Sequence, residues 1–291
     1  MPSRETLPAV EGIVFIAVPD GAVTAVATQM ARMPAPSGTA FVHVSGSLGL
    51  DALAVLAGHA VGSFHPLQSF PAPRPPEAFQ GITVAVDAST TGLERRLAQL
   101  ARDIGAQPRH VADQERVLYH AAAVFASNYV VAVIAEAVKI LEKAGWSRDE
   151  AEQALLPLVE GVVANVRSAG VTKALTGPIR RGDVETVRRH LEALRMINAP
   201  SGSSRHHPRG VGGTPSGGFA ATSPHGGEEI PSGGFAATSP HGGEEIGDLY
   251  RMLGLVALEI AKEAGLEPAA AERTKRALTR HVAATRRRGR S

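Results

Sequence analysis

Residues 13–18 read IVFIAV, an unbroken apolar run made mostly of β-branched residues. Pro19-Asp20-Gly21 closes it at once, and an Ala/Val-rich stretch of helical character follows. Such a run is the pattern of a strand buried on both faces, as strands of a parallel sheet are. The strand passes straight into a helix, so the loop between them lies at the strand's carboxyl end, the edge where open α/β sheets bind ligands. This feature commits the start of the chain to an α/β architecture.

The next residues repeat the theme. Further strand candidates are Ala40–Val44, Val61–Phe64 and Ile82–Val86, with helical stretches at Ala22–Arg32, Leu50–Leu56 and Gly92–Ile104. This alternation predicts right-handed crossover units around a mostly parallel sheet, over residues 1–110.

The pattern changes at Asp113. Acidic Asp113 and Glu115 open a helix, Lys139 and Lys143 close it, and Gly145 follows as its stop. One helix from Asp113 to Ala144 would run about 45 Å at ~1.5 Å per residue. Its middle is apolar nearly all round, so burial is expected, with a second subunit as one way to provide it. Ser147-Arg148-Asp149-Glu150 has the form of a capping box at the start of the next helix, which Pro157 should kink and Gly170 should end. Asp183 is placed to cap a third helix. An all-α domain is therefore expected over residues 111–197 and 248–270.

Residues 198–247 interrupt that domain. PSGGFAATSPHGGEEI occurs twice without a change, at Pro215–Ile230 and Pro231–Ile246. Units this short and this rich in Gly and Pro cannot bury a core of their own, so the segment is expected to be a disordered insertion. Helical spacing resumes at Leu249 and stops at Gly265. A basic tail, residues 271–291, ends in Arg286-Arg287-Arg288-Gly289-Arg290.

Several function classes drop out. The chain has no Cys among its 291 residues, which removes thiolate nucleophiles, thiolate metal sites and disulfides. IVFIAV is too short for a signal core, and Ala121–Val138 contains Ser127, Asn128 and Glu136, so it reads as a buried helix rather than a membrane span. The expected location is the cytoplasm. The net charge is only +2, and no aromatic platform accompanies the basic tail, so nucleic acid is not the expected partner. There is no G-x-S-x-G elbow, no P-loop and no H-E-x-x-H pattern. Gly210-Val211-Gly212-Gly213 follows no strand and lacks the last glycine of a dinucleotide fingerprint.

Three segments sit where an α/β sheet presents its ligand edge: Val18-Pro19-Asp20, Val44-Ser45-Gly46-Ser47 and Gly62-Ser63-Phe64-His65-Pro66-Leu67-Gln68. Small residues at Ser45-Gly46 let a ligand approach the backbone. His65 follows a strand directly, and Pro66 holds its backbone extended. An imidazole there has the chemistry of an acid, a base or a hydrogen-bond donor near neutral pH. The alternative is that His65 and Gln68 only satisfy backbone groups in a tight loop. In the helical half, His120, Ser127 and Asn128 are polar groups in an apolar helix, and Thr176-Gly177-Pro178 is a rigid turn followed by Arg180 and Arg181. These residues either serve a ligand or bond to neighbouring helices. No set of residues forms a metal-ligand pattern.

Four segments in order, HVSGSLGLDAL, GSFHPLQSFP, VLYHAAAVFASNYV and ALTGPIRRGD, resemble the Rossmann-like oxidoreductase family with domain of unknown function 2520. That family is related to pyrroline-5-carboxylate reductases, deazaflavin-dependent NADP reductases and the wider 6-phosphogluconate dehydrogenase-like superfamily. The resemblance runs from Gly12 to Leu194 and resumes over Leu249–Leu266. It implies an NAD(P)-binding domain followed by a helical domain that supplies a homodimer interface, with hydride transfer to or from a small-molecule substrate in the cleft between them. By the same analogy Val18, Pro19, Asp20, Ser45 and Gly46 would contact NADP or NAD, and His65 would be the catalytic candidate. Gln68, His120, Asn128 and Thr176 would join His65 around the substrate. The Lys-x-x-x-Asn pair of hydroxyacid dehydrogenases is absent, since Val124 stands four residues before Asn128. The resemblance also implies a strand, a glycine-rich turn and a helix ahead of Ile13, which the residues before Ile13 are too few to hold. An N-terminally incomplete Rossmann-like domain is therefore expected, short of the turn that binds a dinucleotide's pyrophosphate. The rival reading is a non-catalytic remnant that serves as a helical dimerisation module.

Overall fold

The structure is a computed structural model that describes residues 11–197 and 244–279. The chain divides into two compact units, residues 1–133 and 134–291.

The first unit is α/β, as the apolar runs predict. Its elements are β1 (Ile13–Ile16), α1 (Asp20–Met30), β2 (Ala40–His43), β3 (Ala60–Pro66), β4 (Thr83–Ala88), α2 (Thr91–Asp103), β5 (Gln107–His110) and α3 (Asp113–Ala126). The sheet order is β1-β2-β3-β4-β5, and every neighbouring pair is parallel except β3 and β4. That exception has a local cause. The connection carries Pro71, Pro73, Pro75 and Pro76, which cannot supply the helical crossover that a parallel return needs, so the chain turns back beside β3. β5 (QPRH) escapes a hydrophobicity reading because it is a polar edge strand, the one kind that tolerates a proline.

β2 is buried on both faces. Ala40 and Val42 join Phe64, Val84, Val86, Leu93, Leu97 and Ala101 under α2. Phe41 turns the other way, to Ile16, Val23, Ala27, Leu53 and Leu56 under α1. Gly62 lets α2 lie close over β3, because a methyl there would stand 3.0 Å from Leu97 Cδ1 and from the Asp87 carbonyl oxygen.

The single long helix expected from Asp113 is two. Ser127 (φ −124°, ψ −78°) separates α3 from α4 (Asn128–Lys143). Its hydroxyl lies 2.7 Å from the Ala123 carbonyl oxygen and 2.9 Å from Asn128 Oδ1, so it competes with the helical ladder. The expected burial is not found among the described residues either: Val117, Leu118 and Phe125 are 71%, 77% and 68% exposed. Residues 113–143 have the length and composition of a membrane span, and only 6% of an 18-residue apolar window within them is buried. α3 instead turns its polar face to the sheet.

The second unit continues with α5 (Arg148–Ala169), α6 (Val171–Ala174), α7 (Gly177–Arg181), α8 (Val184–Ile197), α9 (Glu244–Glu263) and α10 (Pro268–Thr279). The capping box forms, with Ser147 Oγ accepting from Glu150 N and Glu150 accepting from Ser147 N. Pro157 stands inside α5 without ending it. Asp183 caps α8 by accepting from Thr186 N at 3.0 Å. Val187, Leu191, Ala277 and Leu278 form this unit's core. α9 begins at Glu244, inside the last residues of the expected insertion, and α10 takes in the first part of the expected tail. Residues 198–243 and 280–291, with nearly all of the duplicated segment, lie outside the described residues.

Candidate functional site

The carboxyl ends of β2 and β3 meet one face of α3 in a cluster of polar side chains. The loop after β2 is shaped by His43, which is fully buried. Its Nδ1 accepts from Ser45 N at 3.2 Å and its Nε2 lies 3.2 Å from the Gly49 carbonyl oxygen. Both ring nitrogens are therefore used inside the loop. Ser45 Oγ accepts from Ser47 N and Leu48 N, each at 3.1 Å. Ser47 Oγ donates to Asp20 Oδ2 at 2.6 Å and so ties this loop to the start of α1.

Asp113, Arg116, Tyr119 and His120 recur at the spacing that places them along one side of α3. Arg116 is 1% exposed. Its Nη2 donates to Ser63 Oγ at 2.7 Å and to the Val111 carbonyl oxygen at 3.2 Å. The carboxylates of Asp87 and Asp113 each lie 3.6 Å from the guanidinium. This buried fork clamps α3 onto β3 and β4. One helical turn further on, the Tyr119 hydroxyl lies 2.8 Å from His65 Nδ1. The His65 and His120 rings are 6.4 Å apart, near edge to face.

These environments set the charge states. Burial first, then His120 and Arg116, push His65 down from 6.5 to about 4, so its ring is neutral at neutral pH. Burial and Arg116 push His43 the same way. Burial raises the Tyr119 phenol, which stays protonated. Burial would raise Asp20, but the Ser47 and Ser45 hydroxyls and the two nearby histidines outweigh it and leave its carboxyl below the usual range. Asp87 is raised, chiefly by burial.

The expected residues divide into two groups. Asp20, Ser45, Gly46, His65 and His120 come together. Val18 packs on the core beneath α1, and Pro19 precedes the first turn of that helix. Gln68 is exposed and its Oε1 accepts from Ser69 N, so it serves its own turn. Asn128 is exposed at the start of α4 and bonds Ser127. Thr176 belongs to the second unit, on an open hollow of about 660 Å³ shared with Lys173, Arg180 and Arg181. Sequence reasoning missed Arg116, Tyr119 and His43, whereas Ser47 lay in a segment it had marked. The signal for the first two was present in their spacing from His120.

The cluster fits one end of a nicotinamide dinucleotide better than the other. A carboxylate and hydroxyls at Asp20, Ser45 and Ser47 suit ribose and carboxamide groups, which donate and accept hydrogen bonds. They do not suit a pyrophosphate, because the N-terminus of α1 already carries the Asp20 carboxylate. Among the described residues no group of three or more His, Asp or Glu converges as a metal site.

Residues 82–204 match the family described as domain of unknown function 2520. That match covers less than half of the chain. A candidate NADP oxidoreductase from Bacteroides fragilis is 26% identical, with a TM-score of 0.54, over 65% of this chain and 70% of that one. A protein from Thermotoga maritima is 27% identical, with a TM-score of 0.56, over 66% of this chain and 72% of its own. The Plasmodium falciparum pyrroline carboxylate reductase with NADP bound aligns at 13% identity and a TM-score of 0.45, over 64% of this chain and 73% of its own, too remote to bear on function. No curated protein is similar enough to match. The domain of unknown function 2520 region thus spans β4, α2, β5 and α3, and with them the residues that close on His65 from the helical side.

Proposed function

We propose that the protein is an NAD(P)-dependent oxidoreductase acting on a small molecule in the cytoplasm. The observation that carries this reading is His65: a neutral, half-buried imidazole at the carboxyl end of β3, held by Tyr119 and set against the Ser45-Gly46 loop. The Bacteroides fragilis relative, described as an oxidoreductase using NADP, supports it. In this reading Asp20, Ser45 and Gly46 hold the ribose-nicotinamide end of NADP or NAD, and the cofactor supplies the hydride. His65 contacts the reacting group of the substrate, and His120 flanks it. Calorimetry of the full chain with NADPH and with NADH tests the proposal. Binding of either one, weakened by Gly46→Val, is the expected result, and no heat from either at millimolar concentration sinks it.

One observation favours a second property, compatible with the first. Val117, Leu118 and Phe125 stand exposed on α3, and Leu158, Val162 and Val163 stand exposed on α5. Apolar surface of this kind is the mark of an interface, and self-association as a homodimer through the helical part follows from it. Light scattering that returns a monomer at micromolar concentration would refute this second reading.

A further inference from the structure

The second unit carries an open hollow of about 660 Å³, formed where α6 and α7 meet the loop between α9 and α10. Lys173, Thr176, Gly177, Arg180, Arg181 and Gly265 line it. Two of its glycines show that the space is open. A methyl group built on Gly177 (φ +85°) or on Gly265 (φ +88°) would meet nothing within 4 Å beyond its own stretch of chain. A volume of this size is ample for a small molecule.

Three cations share this wall without anions to match them. The ion pairs of this unit are made elsewhere, as by Arg148 with Glu152, Arg189 with Glu185 and Arg276 with Glu272. Among the described residues none involves Lys173, Arg180 or Arg181. Glu267 also borders the hollow, but its two carboxylate oxygens accept from Ala269 N at 3.0 Å and Ala270 N at 2.9 Å, at the start of α10. Arg180 is fixed in advance. It is half-buried, and its Nη2 donates at 2.7 Å to the Ala264 carbonyl oxygen, one of those the end of α9 leaves without a helical partner. A guanidinium anchored by one nitrogen has already lost its rotamer freedom, so less ordering remains to oppose a ligand.

We propose that this hollow binds a small, multiply charged oxyanion, with Arg180 as the fixed donor and Arg181 and Lys173 closing on the charge. The chemistry of the wall selects that class. An Arg fork matches the paired oxygens of a carboxylate or a phosphate, and Lys adds a compact charge with rotatable donors. The Thr176 hydroxyl makes no capping bond to α7, so it is a further donor to the same group. A neutral ligand would leave three positive charges facing one another, whereas an anion draws them together. The site lies within the second unit and goes beyond the oxidoreductase reading, on which it does not rest.

The test titrates the full chain, labelled with nitrogen-15, with inorganic pyrophosphate and separately with succinate, at an ionic strength held constant with chloride. The Nε–H signals of Arg180 and Arg181 and the amide signals of Thr176 and Gly177 should shift together and saturate. Those of Arg148 and Arg276, already paired on the surface, should stay where they are. Lys173→Gln and Arg181→Gln replace exposed side chains, so the fold should survive, and each should raise the half-saturating concentration about tenfold, the effect of one charge-assisted hydrogen bond. Saturation by pyrophosphate alone makes the ligand a phosphate compound, by succinate alone a carboxylate, and by both an oxyanion of either kind. A drift of all arginine signals that chloride reproduces, or a half-saturating concentration unmoved in both K173Q and R181Q, overturns the proposal.

Discussion

Acidifying the protein from pH 7 to pH 5 takes His65 through the range where an ordinary imidazole gains its proton, yet its folded environment holds it at about 4 instead of 6.5. The unfolded chain therefore binds the proton more tightly, and the folded state loses stability as the pH falls from 6.5 towards 4. Taken at face value, the two values make that loss about 2 kcal/mol between pH 7 and pH 5. The ring is only half-buried, so solvent screens the effect, and about 1 kcal/mol is the better expectation. His43 moves in the same direction and adds its own share, so the two contributions must be separated. His65→Gln does this, because it removes one titration and leaves the other. The assay is amide exchange of β2 and β3, which reports opening of the first unit alone, followed from pH 7 to pH 5 in both proteins. The wild type should lose about 1 kcal/mol more protection than H65Q over that range. Equal losses would show that the folded environment does not disfavour the His65 cation, and the argument from its burial would fall.

Other perturbations address the remaining parts of the structure. Gly46→Ala forces a methyl group against two rings, and should cost about 1–3 kcal/mol in thermal unfolding while circular dichroism stays unchanged. Arg116→Met leaves Asp87 beside an apolar group and should cost about 3–5 kcal/mol in exchange protection of β3 and β4, part of which Asp87→Asn should restore. Ser147→Ala removes one cap and should lower the stability of α5 by about 1 kcal/mol, seen as faster exchange in its first turn. Leu118→Glu with Phe125→Glu should convert a self-associated species to a monomer by light scattering, with the sheet unperturbed.

The parts of the fold that depend on one-dimensional pattern were legible in the sequence. IVFIAV and its successors marked four of the five strands by their apolar, β-branched runs, although β1 itself is an edge strand with Phe15 exposed rather than a strand buried on both faces. The capping box at Ser147 and the cap at Asp183 were legible because they satisfy backbone groups within three residues. β5 was not, since an edge strand needs no apolar side chains. The reversal between β3 and β4 was present in the prolines that follow β3, but reading it required asking which connection those prolines forbid. The break at Ser127 was hidden by the apolar residues on either side of it, and it comes from a hydroxyl that finds a carbonyl oxygen one turn back.

The candidate site shows a different limit. His65 and Gly46 were visible from the sheet edge alone, whereas Arg116 and Tyr119 were read as part of a helix apolar nearly all round. The usual rule assigns the apolar side of a helix to the core. α3 reverses it: Asp113, Arg116, Tyr119 and His120 face the sheet, while Val117, Leu118 and Phe125 stand exposed. A reversal of this kind needs partners for the inward polar groups: Arg116 Nη2 donates to Ser63 and Val111 with two carboxylates 3.6 Å from the guanidinium, while Arg116 Nε and Nη1 and His120 Nδ1 make no hydrogen bond among the described residues. It also requires the outward apolar groups to have a use of their own, which is why the exposed face of α3 argues for self-association. One helix thus carries the residues that close on His65 and the exposed apolar surface proposed for self-association, so a substitution such as L118E separates the two: it should abolish association, if that proposal holds, and leave the Tyr119–His65 hydrogen bond intact.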